Sequence, residues 1–265
     1  MRSLWKGSIS FGLVNIPVRL YPATEDRDVH FHLLHRECRT PIRYQRFCPT
    51  CGETVPPDQV VRAYEWQRDV YVPVEDDELE RLPPAAQRTI RILDFVDLSE
   101  IDPLHFDRSY YLEPMEGAER SYTLLRRAMR EAGRVAVAQV AFRQKEHLAS
   151  VRLYGERVLV LETMHYPDEV RDPSPLHGIQ EEVEIDPREL ELAHTLIERL
   201  TVRFDPGKYR DRYREALLEL VARKAQGQRW ELPRPQEPVG VESLLEALRE
   251  SVRMAEAGAA AGARK

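Results

Sequence analysis

Residues 8–21 change phase in the middle of an apolar alternation, and this stretch restricts the fold more than any other. Ile9, Phe11 and Leu13 share one parity, whereas Val14, Ile16, Val18 and Leu20 share the other. Period two marks a strand with one buried face, and a one-residue slip beside Gly12 is what a β-bulge produces. Further strands are predicted over Val60–Trp66, Val70–Val74, Ile90–Leu98, Ser109–Leu112, Val135–Phe142, Leu148–Tyr154 and Arg157–Met164. Short strands separated by turn residues point to a mainly antiparallel β structure, a sandwich or a barrel.

Helices interrupt this pattern and then replace it. Ser121 is placed to cap a helix with Leu124, Leu125, Ala128, Met129 and Ala132 on its inner side, stopped by Gly133. Asp186-Pro187 opens a second, with Leu190, Ala193, Ile197, Leu200 and Phe204 at helical spacing. Asp205-Pro206 starts a third, presenting Tyr209, Tyr213, Leu217 and Leu220 before Gly227. The expected fold class is therefore mixed and mainly β, a β-rich core over residues 1–228 that ends in helices.

Pro233, Pro235 and Pro238 make residues 229–240 a linker. Beyond it, over residues 241–265, Val241, Leu244, Leu245, Leu248 and Val252 form one stripe of a short amphipathic helix. Such a stripe either docks back on the core or holds a partner protein. The Ala/Gly-rich end from Ala255 to Lys265 is expected to be mobile.

Apolar residues make up 42% of the 265, enough for an ordinary core. No apolar run approaches the roughly 20 residues that span a bilayer, so no membrane association is expected. The segment Met1-Arg2-Ser3-Leu4-Trp5-Lys6-Gly7 lacks the pattern of a signal peptide, and the expected location is the cytoplasm.

The net charge of −6 does not advertise nucleic-acid binding, but the charge is unevenly spread. Residues 31–48 carry Arg36, Arg39, Arg43 and Arg46 against Glu37 alone. Residues 120–152 carry Arg120, Arg126, Arg127, Arg130, Arg134, Arg143, Lys145 and Arg152 against Glu131 and Glu146. Between them, residues 75–102 are strongly acidic. Two arginine-rich segments in an acidic chain can gather positive potential on one face, or can simply be solvated.

All three cysteines fall within 14 positions, as His35-x2-Cys38-x9-Cys48-x2-Cys51 followed by Gly52. Zinc favours a tetrahedron of such ligands, and each x2 spacing lets two side chains converge from one tight turn. The four residues are candidate ligands of a structural Zn2+. A redox or disulfide Cys48–Cys51 pair, free thiols, and substitution of His35 by His30 or His32 remain open. His165, Asp168 and Glu169 could be imagined as an acid-base cluster. No nucleophile elbow, phosphate loop or HExxH accompanies them, and a turn built on Pro167 explains the segment better.

Three segments carry a family resemblance: residues 4–18 (LWKGSISFGLVNIPV), residues 165–171 (HYPDEVR) and residues 204–213 (FDPGKYRDRY). Each resembles a characteristic stretch of bacterial Ku, in the same order and at similar separations, and the likeness runs from residue 4 to about residue 252. The segment from Val241 to Ser251 resembles the element that follows the bacterial Ku core. The resemblance implies a Ku-type β-barrel whose homodimer forms a ring. Such a ring threads onto double-stranded DNA ends without sequence preference and delivers them to the ATP-dependent DNA ligase D. It implies no catalytic residue, and a location at the nucleoid.

The resemblance also places both basic segments in the ring-forming core, with residues 36–46 near its bridge, and Arg36, Arg43, Arg46, Arg134, Arg143 and Lys145 are the candidate DNA contacts. Val241, Leu244, Leu245 and Leu248 are the candidate partner-binding residues. As zinc is not essential to the family, its expected role is to fasten the excursion that carries the first basic segment. The competing reading is a zinc-ribbon nucleic-acid regulator without end specificity, and against it stands a β-rich core far larger than a ribbon needs.

Overall fold

The computed structural model describes residues 1–81, 88–142, 145–179, 183–227 and 244–262. The expected phase change turns out to be a hairpin. Strands β1 (Trp5–Phe11) and β2 (Val14–Pro22) pair antiparallel with Phe11 opposite Val14, so only Gly12 and Leu13 form the loop. Gly12, at φ 57°, takes the first loop position, as a type II′ turn requires. Partners across a two-residue loop have opposite parity, as do residues on either side of a bulge, so the alternation alone could not separate the two. Ile9 faces Ile16, and both are fully buried.

After β2 the chain leaves the barrel on a long excursion. It carries the two-residue strands β3 (Phe47–Cys48) and β4 (Glu53–Thr54), the hairpin β5 (Arg62–Gln67) and β6 (Val70–Val74), and the short helix α1 (Asp76–Glu80). It returns as β7 (Thr89–Val96), β8 (Phe106–Pro114), α2 (Glu119–Ala132), β9 (Val135–Phe142), β10 (Lys145–Tyr154) and β11 (Val158–Met164). Seven strands close into a barrel in the order β1-β2-β8-β11-β10-β9-β7. Every pairing is antiparallel except the closure of β7 on β1, where Ile9 stands beside Ile90. Closure removes the free edges that an open sheet of this size would expose.

Ile9, Ile16, Val18, Leu20, Ile90, Leu112, Val140, Val151, Leu159 and Leu161 form the core of this unit. Helix α2 adds Tyr122, Leu125 and Met129, three residues at helical spacing. It begins two residues before the expected Ser121 cap, with Ala118 as N-cap and no side-chain hydrogen bond there. Its end matches expectation: Gly133 adopts φ 64° and donates to the Met129 and Arg130 carbonyls. The Tyr122 hydroxyl donates to the Leu112 carbonyl at 2.8 Å and accepts from the Leu159 amide at 2.7 Å, stitching α2 to β8 and β11.

The chain divides into two compact units, residues 1–27 with 32–172, and residues 28–31 with 173–265. The second contains α3 (Pro187–Leu200), α4 (Arg212–Ala225) and α5 (Leu244–Gly262). Asp186 caps α3 as expected, but the helix stops at Leu200, short of Phe204. The helix expected at Asp205 is one 3₁₀ turn over Pro206–Lys208, and α4 begins only after Asp211, whose carboxylate accepts from the Arg214 amide. Gly207 is a poor residue on which to propagate a helix, and a second capping aspartate lies six residues on. The expected linker at 229–240, and Val241, lie outside the described residues.

Candidate nucleic-acid interface

From Phe31 to Phe47 every residue is exposed, and little of the excursion up to Glu78 is better covered. Arg36, Arg39, Arg43 and Arg46 therefore stand in water, and none of the four forms an ion pair with a described residue. Four unpaired guanidinium groups within eleven residues suit phosphate oxygens, which accept from the guanidinium fork without reference to sequence.

Five cations of the second basic segment are engaged with their own unit, whereas Arg120 and Arg127 form no ion pair with a described residue. Arg134 is paired with Asp97, and Lys145 lies 3.1 Å from Glu169. Arg126 and Arg130 both donate to the Glu156 carbonyl. Arg152 forms a fork on the nearly buried Glu162, at 2.7 and 2.6 Å. Arg143 lies outside the described residues. The structure thus separates candidate contacts that the sequence offered as equals: Arg36, Arg43 and Arg46 on the excursion form no ion pair with a described residue, whereas Arg134 and Lys145 on the barrel unit are paired. Spacing reports charge, not partners drawn from distant strands.

The candidate metal ligands fall into two pairs. His35 Nδ1 is 3.1 Å from Cys38 Sγ, and Cys48 and Cys51 are close enough to shift each other's titration. Hydrogen bonds from the Thr40 hydroxyl and amide, then from His35, hold the Cys38 thiol down at about 7. The amide and thiol of Cys51 lower Cys48, and Cys51 itself is raised by the neighbouring Cys48. Among the described residues no three His, Cys, Asp or Glu side chains stand close enough to hold one ion.

His165, Asp168 and Glu169 do not form an acid-base constellation. Glu169 accepts from the Tyr166 amide at 2.9 Å, pairs with Lys145, and lies 3.8 Å from His165. The Tyr166 amide first, and then Lys145, hold its carboxyl below the usual carboxylate range. These are contacts of a turn fastened to β10.

The C-terminal stripe is not detached. Helix α5 packs against α3, with Leu245, Leu248 and Val252 half-buried and Leu244 exposed. This packing lies within one chain, and partner binding by the stripe is a separate question for experiment. The helix also runs to Gly262, where a mobile tail was expected, since alanine carries the best helix propensity.

A family model described as the Ku70/Ku80 β-barrel domain matches residues 10–192, more than half of the chain. The chain belongs to the Ku family. It is similar to proteins named non-homologous end joining protein Ku from three bacteria. The protein of Symbiobacterium thermophilum is 51% identical over 98% of this chain and 65% of its own length. That of Desulfitobacterium hafniense is 43% identical over 96% and 88%, and that of Heliobacterium modesticaldum 46% over 96% and 92%. The chain thus spans about two thirds of the first of these relatives. The Ku match covers both the barrel and the cysteine pairs, so a free-standing zinc-ribbon regulator is not the fold present. No helix among the described residues is long and apolar enough to cross a membrane.

Proposed function

We propose that this chain binds double-stranded DNA ends without sequence preference, as a homodimeric ring, in non-homologous end joining. It recruits and stimulates an ATP-dependent DNA ligase of the ligase D type, and performs no chemical step itself. Membership of the Ku family supports the reading, and one observation on this chain carries it: Arg36, Arg43 and Arg46 are exposed on one excursion from a closed barrel and form no ion pair with a described residue. Phosphate contacts alone give binding that ignores sequence.

The homodimer draws support from exposed apolar surface. In the β5–β6 hairpin Tyr64, Trp66, Val70, Tyr71 and Val72 are all exposed, although an isolated two-stranded hairpin is marginal in water. A second protomer is the economical cover for such a surface.

Mobility shift with linear and closed circular duplexes of one sequence tests the proposal. A ring loads only at an end, so linear duplex binds strongly, longer duplexes take more than one protein, and blocking the ends after loading traps it. Equal affinity for closed circles overturns the ring. Pull-down of the purified ligase by DNA-bound protein, lost on removal of residues 229–265, tests recruitment separately.

A further inference from the structure

Between α2, the ends of β2 and β8, and the turn joining β10 to β11 lies an open cavity of about 1040 Å³. All of its lining residues belong to the first unit. Strand alternation builds one side of it. Leu20 and Leu112 point into the barrel core, so Tyr21 and Tyr111, one position removed and opposite each other across β2 and β8, point outward. The Tyr154 ring, 6.0 Å from that of Tyr111, continues this aromatic wall with 55% of the residue exposed.

The remaining lining is rich in cations. Arg126 and Arg130, one turn apart on α2, both donate to the Glu156 carbonyl, and Arg157 is the next residue of that turn. A carbonyl is neutral, so it holds two guanidinium groups together without cancelling their charge. Like charges one helical turn apart repel, yet none of the three arginines forms an ion pair with a described residue. Cations gathered in a concavity focus a field that a carboxylate satisfies. Among the acids of the lining, Glu113 accepts from the Tyr21 hydroxyl at 2.7 Å and lies 3.7 Å from Arg19. The carboxylates of Glu119 and Glu156 pair with none of the three arginines.

We propose that this cavity is a docking site for an extended segment of a partner protein, one that presents an aromatic side chain beside a carboxylate. The ring packs on the tyrosine wall, and the carboxylate faces Arg126, Arg130 and Arg157. Two of these guanidinium groups are already held by the Glu156 carbonyl, so binding orders little. Tyrosine and arginine are also the side chains that most often carry the binding energy of protein interfaces. The volume lies just above the range of small-ligand pockets, about 300–1,000 Å³, and suits a stretch of chain better than a small molecule. Glu119 and Glu156 decide against a nucleotide, whose phosphates they repel. A peptide brings backbone amides that donate to them.

The full chain, tethered through its C-terminus because Met1 lines the cavity, serves as bait for a displayed library of random linear peptides. The expected result is an enriched motif with an acidic residue beside an aromatic one. The corresponding labelled peptide is then titrated by fluorescence polarisation, without DNA. Tyr154→Ala and Arg157→Glu should each weaken it by roughly tenfold or more. Both positions are exposed, and circular dichroism shows that each variant keeps its barrel. Changing the peptide's acid to its amide should weaken binding to the parent chain and alter little against Arg157→Glu, where that pairing is already lost. No enriched motif, a motif without the acid, or parental affinity in either variant overturns the proposal. Binding of ATP or a short oligothymidylate that depends on Arg157, with no peptide motif recovered, marks a nucleotide site and overturns it too. As no DNA end is present in these measurements, failure here leaves the end-binding proposal standing.

Discussion

Lys145 reaches Glu169 across 3.1 Å, from the first residue of β10 to the turn that follows β11. An exposed pair of this kind adds little to folding, because water and salt screen it, so its main effect is to occupy a cation that a phosphate could otherwise use. Glu169→Gln frees Lys145. If Lys145 faces DNA, this variant binds ends more tightly and its salt slope steepens by about one charge. Mobility shifts across a range of salt check it, and an unchanged slope removes Lys145 from the interface.

The unpaired arginines should behave differently from the paired one. Arg43→Ala is expected to weaken blunt, 5′-overhang and 3′-overhang ends alike, and to lower the salt slope by about 0.9. Arg134→Ala is expected to change DNA binding less, because Asp97 already holds that guanidinium. Equal slopes for Arg43→Ala and the parent chain would contradict the proposed interface.

Tyr122 gives a stability prediction independent of DNA. Tyr122→Phe keeps the ring but strands the Leu112 carbonyl and the Leu159 amide, both in the buried wall between α2 and the barrel. The loss is expected to be about 2–3 kcal/mol, from two buried backbone groups without partners. Urea unfolding should show a lower midpoint at unchanged slope.

The barrel was legible in the sequence because each strand has one dry face, and period two survives in Val135–Phe142, for which the predicted and observed bounds agree. What was lost was anything set by a distant partner. Gly12 read as a bulge because parity cannot tell a slip from a two-residue loop. Arg134 and Lys145 read as free because Asp97 and Glu169 are far away in sequence. The β5–β6 hairpin read as an ordinary strand pair, since nothing in its alternation says that both faces stay wet. The left-handed residues Arg39 and Gly52 of the excursion were half-visible: glycine announces the second, and nothing announces the first.

His147 makes acid stability testable. Burial first, and then the neighbouring Lys145, hold its pKa below the ordinary imidazole value. Between its folded pKa and about 6.5 the unfolded chain therefore binds more protons than the folded one, and stability falls as pH drops through that window. His147→Gln should flatten the thermal midpoint between pH 6.5 and 5 relative to the parent chain. An identical pH profile assigns the acid loss to other groups.

Trp66 and Tyr64 bear on the assembly. They are 69% and 66% exposed on a hairpin with no core of its own, so replacing them removes little that the isolated protomer buries. Were the hairpin simply a solvated arm, Tyr64→Ser with Trp66→Ser would leave the solution mass unchanged. Burial of two aromatic side chains against a second protomer contributes about 1.5–3 kcal/mol each by apolar transfer, a factor of ten or more in dimer affinity per ring. The double variant should therefore run as a monomer at concentrations where the parent chain is dimeric, with its thermal midpoint near that of the parent at high dilution. Light scattering after size exclusion reads the mass directly. If end binding falls together with the dimer while Arg36, Arg43 and Arg46 are untouched, two protomers are needed to hold one DNA end.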